Sequence, residues 1–219
     1  MKRIAIALLA TAPFLLPATR AAAQATLALT VGANRASVGV NRDGDVFNTL
    51  SVTRQSIGLA ASIPVWAKLG LQLDASYTGK GYTERYNPRP VSSSTLKLAY
   101  LETRVMGKVQ LLDSGSGVKF HLLLGPAVAT ETSCQQHVEA VLGGETVNSQ
   151  VPCPAGSTSS LDFGLAAGAW MEMWVSDRFG LLLSGFHSRG IQDIDAASER
   201  VTMKNRGTSL HTGVIISVG

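Results

Sequence analysis

The sequence predicts an all-β fold: an eight-stranded antiparallel up-and-down transmembrane β-barrel behind a cleaved signal peptide. Three observations predict it. Apolar residues fall on every second position along many segments, the chain opens on an export leader with no later spanning helix, and connections alternate between short and long. Period two is the signature of a strand, because successive side chains point to opposite faces.

The clearest segment runs from Ser56 to Thr78. Ile57, Leu59, Ala61 and Ile63 alternate with small and polar residues, and after a break at 64–68 the series resumes with Leu69, Leu71, Leu73, Ala75 and Tyr77. Upstream, Leu27, Leu29, Val31 and Ala33 share a face, and Ala36, Val38 and Val40 read as a continuation after a register change. Further strands are expected over Leu98–Val109, Lys119–Val128, Asp162–Trp174 and Thr208–Val218, with a least regular one over Leu181–Gly190. Connections near 64–68, 112–117 and 175–178 are short, whereas those near 41–52, 79–94, 131–160 and 192–206 are long and polar. In a meander, alternate connections share an end, so one rim carries tight turns and the other long loops, as in outer-membrane barrels.

At the N-terminus, Lys2 and Arg3 precede the apolar run Ile4–Leu16, and Ala21-Ala22-Ala23 supplies small residues for cleavage after Ala23 or Ala25. This is a secretory signal over 1–23, followed by a barrel domain over 24–219. The run is interrupted by Pro13 and falls short of the roughly 20 residues a spanning helix needs. Lys2, Arg3 and Arg20 leave with the leader, so sixteen of the nineteen bases remain against fifteen acids. No basic stripe with interleaved aromatics is present, which argues against nucleic-acid binding.

Alternation also suits a soluble barrel with its hydrocarbon turned inward. Gly58, Ala60, Gly164, Ala166 and Gly168 share the polar face, however, and suit the cramped interior of an eight-stranded barrel. Lipid is therefore expected outside, with Trp66, Tyr77, Tyr100 and Trp174 as interfacial aromatics.

Six short motifs then follow in order: Ser56–Pro64, Leu69–Gly81, Tyr100–Thr103, Leu124-Gly-Pro126, Asp162–Leu165 with Gly168, and Ser188–Ile194. In these the mature chain resembles the PorT-like outer-membrane β-barrel family. The resemblance implies a barrel in the outer membrane of a Gram-negative-type bacterium, in a family mostly of unassigned activity. Such chains commonly end in an aromatic residue, whereas this one ends Ile215-Ile-Ser-Val-Gly219.

The inward face is expected to hold a charge network of Asp74, Glu102, Arg104, Lys108, Lys119, His121, Asp162 and Glu172. Both signs are present, so in a narrow lumen these groups can pair and block solute flow. Cys134 and Cys153 are expected to form a disulfide in an oxidising compartment. Metal binding is not expected, because beside His137 they lack a fourth ligand and zinc-site spacing. The adjacent pair His187-Ser188 invites a hydrolase reading, but neighbours on a strand face opposite ways and cannot pair as base and nucleophile. His211 is expected inward, bonded to a lumen carboxylate. No catalytic residue and no cofactor is expected. The function this points to is a structural or interaction protein with a filled lumen, meeting membrane lipid on its wall and an extracellular or envelope protein through its long loops. The alternatives are a small-solute or lipid-handling barrel, as pore or lipid-modifying enzyme, and a soluble periplasmic ligand binder.

Overall fold

The chain forms a ring of eight antiparallel strands. The computed structural model describes residues 25–42, 45–86, 92–142, 145–154, 157–194 and 201–218; the expected leader lies outside the described residues. The strands are β1 (Ala25–Arg42), β2 (Asp45–Asn48), β3 (Leu50–Trp66), β4 (Leu69–Tyr86), β5 (Ser92–Asp113), β6 (Val118–Leu142), β7 (Glu145–Pro152), β8 (Leu161–Trp174), β9 (Phe179–Gly190) and β10 (Val201–Val218). Eight of them form the wall in the order β1-β3-β4-β5-β6-β8-β9-β10, and β10 closes on β1 from Ala25↔Val218 to Arg42↔Val201. Full closure leaves the wall without edges, which is what a sheet in hydrocarbon requires.

One rim carries the tight turns at Ala67–Lys68, Ser114–Gly117 and Val175–Arg178, together with both ends of the described chain. Gly115 (φ 67) and Gly117 (φ 88) adopt the left-handed conformation that glycine tolerates best. Above this rim the outward residues are apolar: Leu27, Leu29 and Val31 on β1, Ile57, Leu59 and Ile63 on β3, and Leu69, Leu71, Leu73 and Tyr77 on β4, all exposed. The band continues through Leu101 and Val105, Leu122 and Leu124, Phe163 and Leu165, Leu181 and Leu183, and Leu210, Val214 and Ile216. On β4 it spans Leu69 to Tyr77, and nine tilted residues cover roughly the 25 Å of an outer-membrane apolar belt. Hydrocarbon faces out and charge faces in, the reverse of a soluble ligand-binding barrel.

The four connections read from sequence as long loops are instead mostly strand, as extensions of the wall strands and as the added β2 and β7. β1 stays in register with β10 throughout, β4 and β5 remain paired as far as Tyr86↔Ser92, and β6 runs on to Leu142 with β7 folded back along it. The segment 41–52 holds β2, which pairs with the end of β1, while Thr49 Oγ1 both donates to Val38 O (2.7 Å) and accepts from Val38 N (3.3 Å). Residues 43–44, 87–91, 143–144, 155–156 and 195–200 of these connections lie outside the described residues. The register change expected in β1 does not occur. Ala36, Val38 and Val40 are buried on the same inward face as Ala28, Thr30 and Asn34, so the apolar residues switch faces while the strand does not. At that height the strand has left the apolar belt. Its outer face becomes polar, and its inner face joins a second core of Val38, Val40, Tyr82, Leu98, Tyr100, Ala129 and Ile194.

Two further expectations change. β9 alternates regularly, with Gly180, Leu182, Ser184 and Phe186 inward; consecutive leucines at 181–183 concealed the pattern. Of the four interfacial aromatics, Trp66 and Tyr77 face outward, whereas Tyr100 is fully buried in the lumen and Trp174 packs against an inner cluster.

Cys134 and Cys153 are bonded, with Cα atoms 5.4 Å apart, and staple the base of the β6–β7 hairpin. Their 19-residue separation gives a loop-closure contribution of about 3 kcal/mol. Replacing both with serine should lower unfolding stability by up to about 3 kcal/mol and accelerate protease cleavage within 145–152, read by urea titration and by timed digestion of the refolded protein.

Candidate functional site

The lumen is filled by three tiers, each built from a cation, an aromatic ring and at least one acid. In the tier nearest the turn rim, Lys108 Nζ lies 2.6 Å from Glu172 Oε1 and 5.3 Å from the centre of the Trp170 ring. Glu172 also accepts from the indole N–H of Trp170 and of Trp174, each at 3.0 Å, and His121 Nε2 lies 3.4 Å away. In the middle tier the Arg104 guanidinium stacks on Phe186 at 4.4 Å and stands 3.7 Å from Asp74 and 3.8 Å from Glu102. Gln72 Nε2 donates to Asp74 Oδ1. In the third tier Lys80 lies 2.8 Å from Glu102, 3.6 Å from Asp162 and 5.0 Å from the Tyr100 ring centre, and Asn205 donates to both Asp162 and the Tyr100 hydroxyl.

Strand parity explains the assembly. Glu102, Arg104, Met106 and Lys108 occupy alternate positions on β5 and so stand in one inward column. The register places Asp74 beside Arg104 on β4 and Ser76 beside Glu102, while Glu172 on β8 pairs with Lys119 on β6. Each buried cation meets both a carboxylate and a π face, which compensates for its removal from water.

Around the charges pack Ala28, Ala60, Met106, Leu123, Ala127, Ala166, Leu182 and Ile215, all buried. Asp74 Oδ2, Arg104 Nε and Ser184 Oγ have no hydrogen-bond partner and adjoin a cavity of about 10 Å³, the size of a single water. Above the third tier, the chain after β9 turns into the barrel mouth. Ile194 is wholly buried there, its N–H donates to Met203 O, and its carbonyl accepts from Ser159 N. At the turn rim a cavity of about 860 Å³ reaches inward as far as Lys108, His121, Glu172 and Trp174.

Seven of the eight residues expected in the lumen network are brought together. Lys119 is the exception: it is half-buried at the turn-rim cavity, with no ion pair among the described residues. Lys80 is the member that sequence reading misses, because the polar run 79–94 reads as loop; its even parity with Asp74, Ser76 and Thr78 is the signal that finds it. His211 is buried as expected, but it meets Ser56 Oγ at 3.1 Å rather than a carboxylate. His187 faces out and bonds Thr208 at 3.0 Å, whereas Ser188 lies on the opposite face. Among the described residues no cluster of His, Cys, Asp or Glu is arranged to hold a metal.

A closed ring of tilted strands, an apolar belt and a charged, filled interior together define the outer-membrane β-barrel fold. No family model and no curated protein matches the chain. Among solved structures, the outer membrane protein OprG from Pseudomonas aeruginosa shares the fold at a TM-score of 0.52 and 12% identity, over 90% of this chain and 96% of that one. Neisserial surface protein A, NspA, aligns at a TM-score of 0.43 and 16% identity over 87% and 97% of the two chains. Ail, the attachment invasion locus protein of Yersinia pestis, solved in complex with the heparin analogue sucrose octasulfate, aligns at 0.39 and 12% over 88% and 99%.

Proposed function

We propose that this chain is an outer-membrane barrel with a sealed lumen, acting as a structural or interaction protein through the hairpins that project from its long-strand end. In this reading residues 1–23 direct export, the apolar belt meets membrane lipid, and the protein resides in the outer membrane of a Gram-negative-type bacterium. The ordered motifs that resemble the PorT-like family support the same assignment.

The observation that carries the proposal is the continuity of the plug. Met106 and Gln72, directly paired across β4 and β5, and above them Tyr100, Leu98 and Ile194 towards the mouth, are each at 0% exposure, so packed side chains interrupt the lumen at several levels. What remains to act is the projecting sheet. β6 is 25 residues long, well beyond the roughly 10 that cross a membrane, and every residue of β7 is exposed along a strand paired on one side only. A stapled, water-exposed strand edge suits recognition of an extracellular or envelope protein. The reading assigns no catalytic residue and no cofactor.

The turn-rim cavity favours a second reading, a small-solute-binding barrel, in which solute enters and leaves by the same rim. Planar-bilayer recording tests the main proposal. The refolded protein should add no stable single-channel steps, and a reproducible ohmic conductance that scales with salt would overturn the sealed lumen.

A further inference from the structure

We propose that the outer wall of β9, β10 and β1, immediately above the apolar belt, binds the phosphorylated head group of a lipid in the leaflet nearer the hairpins. The inference rests on the membrane-barrel reading above and assigns one lipid-binding position within it.

Five basic side chains share this stretch of wall. His187 and Arg189 stand on the outward face of β9, Lys204 and Arg206 on that of β10, and Arg35 on that of β1. Register brings them together: Arg206 lies directly opposite Arg189, Thr208 sits between His187 on one side and Arg35 on the other, and Lys204 pairs with Gly39. Neighbouring strands are about 4.8 Å apart, so these groups fall within the span of one phosphorylated head group. Among the described residues, no Asp or Glu side chain faces outward on these strands and none of the four Lys and Arg forms an ion pair. Arg35 commits its Nε to Ser51 Oγ at 2.8 Å. The Arg206 guanidinium lies over Gly39, where an added Cβ would stand 3.3 Å from Nη2; the absence of a side chain lets the guanidinium lie against the wall.

Like charges placed directly opposite on one sheet face repel each other. A wall that holds Arg189 against Arg206, with no acid between them among the described residues, is arranged to share an anion, and two guanidinium forks match phosphate oxygens in pairs. Position selects a lipid over a soluble anion. The row below the patch is Gly185, Leu210 and Ala33, with Leu183, Thr212 and Val31 beneath it, so a largely apolar surface runs down from the charges. A phosphate at the patch can therefore be continuous with acyl chains on the belt. At the corresponding height on β6, the outward residues are Thr130 and Thr132.

The test uses the refolded full barrel in detergent, with native mass spectrometry and bisphosphorylated lipid A or its dephosphorylated form as probes. The Arg189→Gln/Arg206→Gln variant should lose retention of the bisphosphorylated lipid by roughly thirtyfold, from the attraction typical of two surface cations. Lys68→Gln, at the opposite rim, should stay within about twofold, and the dephosphorylated lipid should bind the native chain as poorly as the double variant binds the phosphorylated one. Equal retention of the two lipids, or undiminished retention by the double variant, overturns the site. Heat-modifiable migration is followed in the same samples. A heat-modifiable barrel without phosphate preference removes only this site, whereas a chain that stays dispersed in buffer without detergent removes the membrane reading itself.

Discussion

Glu172→Ala is expected to lower barrel stability by about 3–5 kcal/mol, the cost of leaving a buried partner charge uncompensated. The carboxylate accepts from Lys108 and from the indole N–H groups of Trp170 and Trp174, so its removal strands three donors at once in the tier nearest the turn rim. Lys108→Met on the same background should restore part of the loss, because it removes the orphaned charge and leaves an apolar chain against Trp170. The measurement is the urea midpoint of the heat-modifiable species for the two single variants and the pair. A Glu172→Ala midpoint matching the native one, or a double variant weaker than the sum of the singles, would show that this tier does not hold the barrel together.

The second large effect is expected from Leu73→Arg, on the opposite face of the same wall. Leu73 points outward at the middle of the belt, half exposed, with Ala61 and Val105 as cross-strand neighbours. A lipid-facing arginine at the bilayer midplane costs about 2–4 kcal/mol in a membrane barrel. Gln135→Arg, outward and exposed on the projecting part of β6, should shift stability by no more than about 0.5 kcal/mol. Unfolding titrations in phospholipid vesicles give the comparison. Equal tolerance of arginine at 73 and 135 would mean that the belt does not face lipid.

These two substitutions mark the parts of the molecule that hydropathy alternation made legible. Leu73 and Asp74 are neighbours in sequence and opposites in environment, and the contrast between hydrocarbon and charge shows which face each takes. The column Glu102, Arg104, Met106 and Lys108 was readable for the same reason. Lys80 was not, although it continues the parity of Asp74, Ser76 and Thr78, because Gly79 and Gly81 beside it carry no side chain to mark the alternation. The failure at Val38 and Val40 has the same origin. Above the belt the outer face meets water and the inner face meets a hydrophobic core, so the signal reverses while the strand continues.

The amino-acid pattern alone was enough to read eight wall strands, the places of the tight turns, which face of each strand carries hydrocarbon in the belt, and the pairing of Cys134 with Cys153. The strands, faces and turns follow from period two and from local turn chemistry, which act between residues close in sequence, and the disulfide follows from the chain's having two cysteines and an expected oxidising compartment. Only the tertiary structure decided that much of the polar connections is strand, that Tyr100 and Trp174 turn inward, that Arg104, Lys108 and Lys80 each stack on a ring, and that Arg189 faces Arg206 across β9 and β10. Each of these depends on the register between strands, and register is set by closure of the whole ring, to which no single segment of sequence has access.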